Sequence, residues 1–237
     1  MVITMFRKIL FLILLCSITG FSQSKDPNEI LNNVIKAFEE IEDYVVDVNI
    51  KVDVAFLKVP EANAKIYFKQ PDKVHMESEG FALMPKQGMN FSPTGFLKTD
   101  YTAFYNKEIE LNGTDVSIIK IIPLDESSDV ILSTFWVDQS KNRIMKVESS
   151  RKPSGTFTID LIYPEDKPNL LLPASLVFTF AIEEMHFPTG ITGDSNSENN
   201  NENEKEDKDK MGKVYINYSN YQINQGLSDD LFENEKE

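Results

Sequence analysis

Apolar and polar residues alternate from Val46 to Phe56. Asp47, Asn49, Lys51 and Asp53 lie between large apolar side chains. A period of two is typical of a β-strand with one buried face and one solvated face. A pairing shift of one residue would exchange the two faces, so the register of such a strand is strongly specified. We therefore predict a long strand here and expect other strands to complete its sheet.

A helix is predicted immediately before this strand. Asp26 is a good N-cap, Pro27 suits the first helical position and Glu29 supports the first turn. Apolar residues then recur at helical spacing, which favours an amphipathic helix over about Pro27 to Glu42. We expect its apolar face to pack on the concave side of the sheet.

Further strands are predicted along most of the chain. Pro71-Asp72 and Asn112-Gly113 are turn signals between such segments. The predicted strands cover residues 62–70, 74–78, 101–105, 108–111, 116–122, 130–137, 143–149, 156–163, 176–182 and 214–221. The expected fold class is α+β and mostly β: one N-terminal helix and about ten antiparallel strands in a large curled sheet.

The N-terminus has the pattern of a secretory signal peptide. Arg7 and Lys8 precede a short apolar run, and small residues follow at Gly20 and Ser22. We predict a signal peptide over residues 1–22, a mature start near Gln23 and one domain over 23–237. The only cysteine, Cys16, is interpreted either as a lipid-modified residue that tethers the protein to a membrane or as part of the removed signal. Leu15 holds the position where a lipoprotein signal has a small residue, which favours removal. A mature chain without cysteine has no disulfide and no thiolate chemistry.

Two segments have neither helical nor strand periodicity. Gly80 to Lys98 is rich in large apolar residues, glycine and proline. It is interpreted either as a loop packed on the core or as a flexible apolar flap over a cavity mouth. Residues from about 190 to 212 are mostly Asn, Ser, Asp, Glu and Lys, and are predicted to form a disordered acidic loop.

The sequence offers little support for catalysis. The formal net charge of −14 argues against nucleic acid as a partner. The two histidines, His75 and His186, lack a motif for metal binding or base catalysis. The chain also lacks a nucleophile elbow, a phosphate-binding loop and a dinucleotide fingerprint. We expect no enzyme activity, no metal and no cofactor.

The order of elements resembles the LolA/LolB-like superfamily of periplasmic lipoprotein carriers. The similarity lies in a signal peptide followed by a helix and a long strand, and in four later segments. These are Ile66–Val74 with its Lys-x-Pro turn, Thr134–Asp138, Ile144–Glu148 and the ending Ile223–Phe232. Carriers of this family have an arginine just before the turn proline, where this chain has Gln70.

The resemblance implies a half-closed antiparallel barrel with a helical lid and an apolar cavity for acyl chains. The expected cargo is lipoprotein or lipid, delivered across the periplasm to the outer membrane by a monomer that meets inner- and outer-membrane transport components. The alternative is a non-enzymatic module of the envelope that senses lipids or proteins. The predicted cavity residues are Val46, Val48, Ile50, Ile66, Phe68 and Met76. The predicted mouth or lid residues are Phe81, Leu83, Met84, Met89 and Phe91.

Overall fold

The structure is a computed structural model that describes residues 25–54, 58–79, 95, 97, 100–153, 155–182 and 211–233. The predicted signal peptide, the acidic segment at 194–210 and nearly all of the predicted flap lie outside the described residues.

Helix α1 spans Pro27–Glu39. The Asp26 carboxylate accepts a hydrogen bond from the backbone N–H of Asn28, as expected of an N-cap. The predicted end at Glu42 is wrong, because the chain turns at Glu40 and extends through the next two residues. The carbonyl of Glu42 already accepts a hydrogen bond from the backbone N–H of Gln70, which requires it to leave the helix.

In the described ranges, ten antiparallel strands form one sheet with the order β3-β2-β1-β10-β9-β8-β7-β6-β5-β4. Their bounds are β1 Asp43–Asp53, β2 Ala62–Lys69, β3 Lys73–Glu79, β4 Tyr101–Leu111, β5 Thr114–Pro123, β6 Val130–Asp138, β7 Arg143–Arg151, β8 Gly155–Ile162, β9 Ser175–Ala181 and β10 Met211–Ile223. The strand order confirms the predicted fold class. The Asn112-Gly113 hairpin is confirmed too, with φ of 52° and 77°.

The sheet is a half-barrel with one unpaired seam. Its edges are β3 and β4, and no pairing joins them in the described part of the chain. Helix α1 crosses the concave face between the two sides of this seam. Near its C-terminus, the Phe38 ring lies 5.6 Å from the Phe68 ring on β2. Before its N-terminus, Lys25 Nζ lies 2.6 Å from Glu108 Oε1 on β4.

Strand β1 begins three residues before the predicted start. Tyr44 and Val45 are also buried, so the strand is longer than its alternating residues indicate. Opposite Val46, the partner strand β10 contains a bulge, and Asn220 there has a φ of 56°. The predicted end at Phe56 lies outside the described residues, whereas Val54 is described and buried.

A polar clamp ties the start of β1 to the residues that follow β10. The buried carboxylate of Asp43 accepts hydrogen bonds from the backbone N–H groups of Gln225, Gly226 and Leu227 at 2.7, 2.8 and 3.0 Å. The Asn224 side chain also accepts a hydrogen bond of 2.8 Å from the backbone N–H of Glu42. The clamp fixes the C-terminal segment against the end of the helix.

Beyond the clamp, a short 3-10 helix over Asp229–Phe232 is held by an ion-pair cluster. Asp229 Oδ1 lies 2.6 Å from Lys69 Nζ and 3.0 Å from Lys73 Nζ. The hydrogen bond from Lys69, with a smaller effect of Lys73, lowers the pKa of Asp229 below its ordinary value of 3.8. A carboxyl group with a lowered pKa stabilises the folded form at pH values above its ordinary pKa. This contribution is lost as the pH falls through the lowered pKa.

We therefore expect the Asp229 carboxyl to titrate below pH 3.8 in an NMR titration of the folded protein. The substitution Lys69→Met should raise that midpoint, whereas Lys36→Met on the exposed side of α1 should leave it unchanged. A midpoint at or above the ordinary value in the unsubstituted protein would show that the ion pairs do not form in solution.

Candidate functional site

The concave face of the half-barrel is an apolar wall. Inward-facing residues from β1, β2 and β5 to β10 form one continuous cluster with the helix. The helix contributes Ile30, Leu31, Val34 and Phe38 to it. Because successive side chains of a strand point to opposite faces of the sheet, about every second residue of each strand lies on this wall.

The six predicted cavity residues lie together on this wall. Val46, Val48, Ile50, Ile66 and Phe68 are all buried, and Met76 is partly buried against the same cluster. They come from β1, β2 and β3, where Ile66 pairs with both Val46 and Met76. Phe68 is covered by the Phe38 ring of the helix. A ligand that reached Phe68 would therefore have to displace part of α1.

The predicted lid residues Phe81, Leu83, Met84, Met89 and Phe91 lie outside the described residues. The strands that flank them end at Glu79 and begin at Tyr101. These strand ends lie at the same end of the sheet as Asp53, Val130 and Arg151, because neighbouring strands are antiparallel. We call this end the rim.

Gln70 occupies the position where the resemblance places an arginine. Its side-chain amide donates a hydrogen bond of 3.3 Å to the carbonyl of Phe38 in the last turn of α1. The position therefore still contacts the helix, through one neutral hydrogen bond instead of a charged group. A neutral hydrogen bond contributes about 1 kcal/mol, so it is a weak restraint on the helix.

A polar cluster near the rim was not anticipated from the sequence. Ser133 and Ser149 are buried on paired strands, and their hydroxyl oxygens lie 2.9 Å apart. Two residues further along β7, Arg151 lies with its Cζ atom 5.5 Å from the centroid of the Phe157 ring. The two serines, Arg151 and Tyr101 line a cavity of about 180 Å³. Ser133 lies two positions from buried Phe135, a spacing that could have revealed its inward direction.

Aromatic residues fill the other end of the concave face. Tyr44 stacks on Phe68 at 5.0 Å and meets Tyr221 edge-on at 5.8 Å. The Tyr221 hydroxyl donates a hydrogen bond to the carbonyl of Pro173. Burial raises the pKa of Tyr44, Tyr218 and Tyr221 well above the ordinary phenol value. These side chains therefore remain neutral and act as apolar surface with polar tips.

A larger groove of about 410 Å³ lies elsewhere, along β1, β2 and β3. Seven of its nine lining residues are polar or charged, and they include the Asp47–Lys65 ion pair and the hydrogen-bonded amides of Asn49 and Asn63. These side chains alternate with the inward-facing ones, so the groove lies on the outer face of the sheet. Its polarity makes it a poor site for an acyl chain.

In the described ranges, no group of three or more His, Cys, Asp and Glu side chains could hold a metal ion. His75 lies on β3 with its Nε2 atom 3.8 Å from Glu77, and His186 lies outside these ranges. None of the helices described is long and apolar enough to cross a membrane.

No protein-family model and no curated protein matches the sequence. Solved structures do match the fold. A LolA superfamily protein from Nitrosomonas europaea has a TM-score of 0.58 at 13% identity, covering 88% of this chain and 98% of that chain. A putative outer membrane lipoprotein-sorting protein domain from Vibrio parahaemolyticus has a TM-score of 0.53 at 13% identity, with 88% and 97% covered.

A DUF1329 family protein from Desulfovibrio piger also matches, with a TM-score of 0.56 at 12% identity, covering 89% of this chain and 98% of that chain. These matches span nearly the whole of each solved chain. The chain therefore has a LolA-like fold.

Proposed function

We propose that the protein is a non-enzymatic, monomeric carrier that binds the acyl chains of lipids or lipoproteins on the concave face and delivers them across the periplasm to the outer membrane. The observation that carries the proposal is the continuous apolar wall of a half-barrel whose seam is crossed by helix α1. The fold shared with an outer membrane lipoprotein-sorting domain supports it.

The helix is central to this proposal. It places four buried apolar side chains on the wall, so an acyl chain could replace part of their packing. Burial of each methylene contributes about 0.8 kcal/mol, so a chain of ordinary length can offset the lost helix contacts. The polar contacts that hold α1 at its two ends are the exposed Lys25–Glu108 ion pair and neutral hydrogen bonds from the side chains of Gln70 and Asn224 to carbonyls at its C-terminal end. Each of these contacts is weak on its own, which favours reversible displacement of the helix.

The acyl chain would enter at the rim, next to the cavity lined by Tyr101 and Ile121. From there it would run along the wall toward Ile50, Val48 and Val46. The predicted lid residues between β3 and β4 would cover it from the seam side. Transfer to an acceptor then requires only that the acceptor bury the chain more favourably.

The substitution Ala103→Phe is expected to weaken acyl-chain binding by about 10-fold or more, because a ring there would occupy volume that the ligand needs. Ala103 lies on edge strand β4, packs against the apolar cluster and pairs with Ile121. Binding of a fluorescent fatty acid, measured by titration, checks the result.

The matched control is Thr102→Phe, which adds a ring to the exposed face of the same strand. It should bind the fatty acid as the unsubstituted protein does. Equal binding by both variants and the parent would place the chain elsewhere than on the concave face. Failure of the parent protein to bind any acyl compound would refute the carrier function itself.

A further inference from the structure

We propose that the cavity lined by Arg151, Ser133 and Ser149 is an oxyanion site, which binds the carboxylate or phosphate headgroup of an amphiphile. The inference rests on the proposed function for the position of the hydrocarbon chain. It goes further in naming the class of ligand, an anionic lipid, and the residues that select it.

The guanidinium of Arg151 has an unused edge. Its Nη1 atom lies 3.3 Å from Asp129 Oδ2. Its Nε atom is buried and has no hydrogen-bond partner among the residues the structure describes. An arginine engaged only through Nη1 retains the Nε–Nη2 edge, whose two parallel N–H groups match a carboxylate or a phosphate. A buried donor without a partner is unfavourable, and a bound oxyanion would satisfy it.

The arginine is also held in position. The Phe157 ring centroid lies 5.5 Å from its Cζ atom, and its Nη1 donates a hydrogen bond of 3.3 Å to Asp129. Phe157 belongs to the apolar wall, so a headgroup at Arg151 would leave its chain directly on that wall. Asp129 is mostly exposed, which weakens its competition with a bound anion.

The serine pair supplies a second donor. Two hydroxyl groups carry two hydrogens, and the contact between Ser133 and Ser149 uses one of them. The other hydrogen is left to donate to a ligand. Both residues line the same cavity as Arg151, and its volume of about 180 Å³ is well above the ~30 Å³ that one water occupies. The cavity can therefore hold a headgroup and the first part of its chain.

The test compares ligands that share one chain and differ in headgroup. Decanoate, decyl phosphate and decan-1-ol are titrated into the purified full chain by isothermal calorimetry, with inorganic phosphate as a fourth ligand. We expect both anionic amphiphiles to bind about 10-fold more tightly than the alcohol, since hydrogen bonds to charged groups are the stronger ones. Equal affinities for all three would overturn the oxyanion site and leave the carrier function standing.

Variants identify the residues. Arg151→Gln should remove the preference for the anions and leave the affinity for decan-1-ol unchanged, because only the headgroup contact is lost. Lys152→Gln removes one positive charge from the exposed neighbouring position and should retain the full preference. An unchanged preference in Arg151→Gln would overturn the assignment, as would an equal loss of affinity for the alcohol, which indicates a purely structural role.

A second variant and the titration with inorganic phosphate complete the test. If Arg151→Gln does not fold, Ser149→Ala replaces it, with an expected loss of about 3- to 10-fold for the anions only. Equal weakening for all ligands would argue against a donor role. Binding of inorganic phosphate that depends on Arg151, with no binding of any amphiphile, would support a site for free oxyanions and refute the acyl-chain function.

Discussion

The substitution Arg143→Met is expected to lower the free energy of unfolding by about 3–5 kcal/mol, because it leaves a carboxylate buried without its counter-charge. Arg143 and Asp138 are 8% and 1% exposed, and the Arg143 Nε lies 3.3 Å from Asp138 Oδ2. The guanidinium also lies 4.3 Å from the Tyr163 ring centroid. Urea unfolding followed by circular dichroism measures the change.

The matched control is the double variant Asp138→Asn with Arg143→Met. It removes both charges, while the asparagine oxygen can still accept the hydrogen bonds that Asp138 Oδ1 accepts from Ser140. Its loss should be smaller than that of Arg143→Met alone by about 1 kcal/mol or more. A single variant as stable as the parent would mean that the pair contributes little and that Asp138 tolerates burial alone.

The substitution Asp43→Ala is expected to lower the free energy of unfolding by about 2–4 kcal/mol, since it leaves three backbone donors without their charged acceptor. These donors are the N–H groups of Gln225, Gly226 and Leu227. Amide hydrogen exchange at these positions should also accelerate, because the C-terminal segment would no longer be held to the start of β1.

Asp47→Ala provides the comparison on the same strand. Asp47 accepts a hydrogen bond from Lys65, but its side chain is 39% exposed, so its loss should cost less than about 1 kcal/mol. Equal effects of the two substitutions, or unchanged exchange at residues 225–227 in Asp43→Ala, would contradict the clamp.

The strands were largely predictable because local sequence signals indicate each of them. The alternation around Val48, the Asn112-Gly113 turn and the Asp26 cap depend on neighbours in sequence, and the structure confirms all three. Helix α1 ends three residues before its predicted end. This end is set by the contact of Glu42 with Gln70, which local periodicity does not contain.

The polar clusters were much harder to predict. Asp43 and Gln225 are 182 residues apart, and only the pairing of β1 with β10 brings them together. The oxyanion site likewise depends on three neighbouring strands, although the two-residue spacing of Ser149 and Arg151 puts both on one face of β7. The predicted cavity residues share one wall, but how a ligand reaches them depends on the helix that covers Phe68.

The most direct test of the carrier account is mass spectrometry of lipids extracted from gently purified protein, compared with the Ala103→Phe variant prepared in parallel. A carrier of this kind should co-purify with acyl lipids in near-stoichiometric amounts, enriched in anionic headgroups, and the variant should retain much less. Absence of acyl lipid from the parent, or equal amounts in both preparations, would contradict the carrier account.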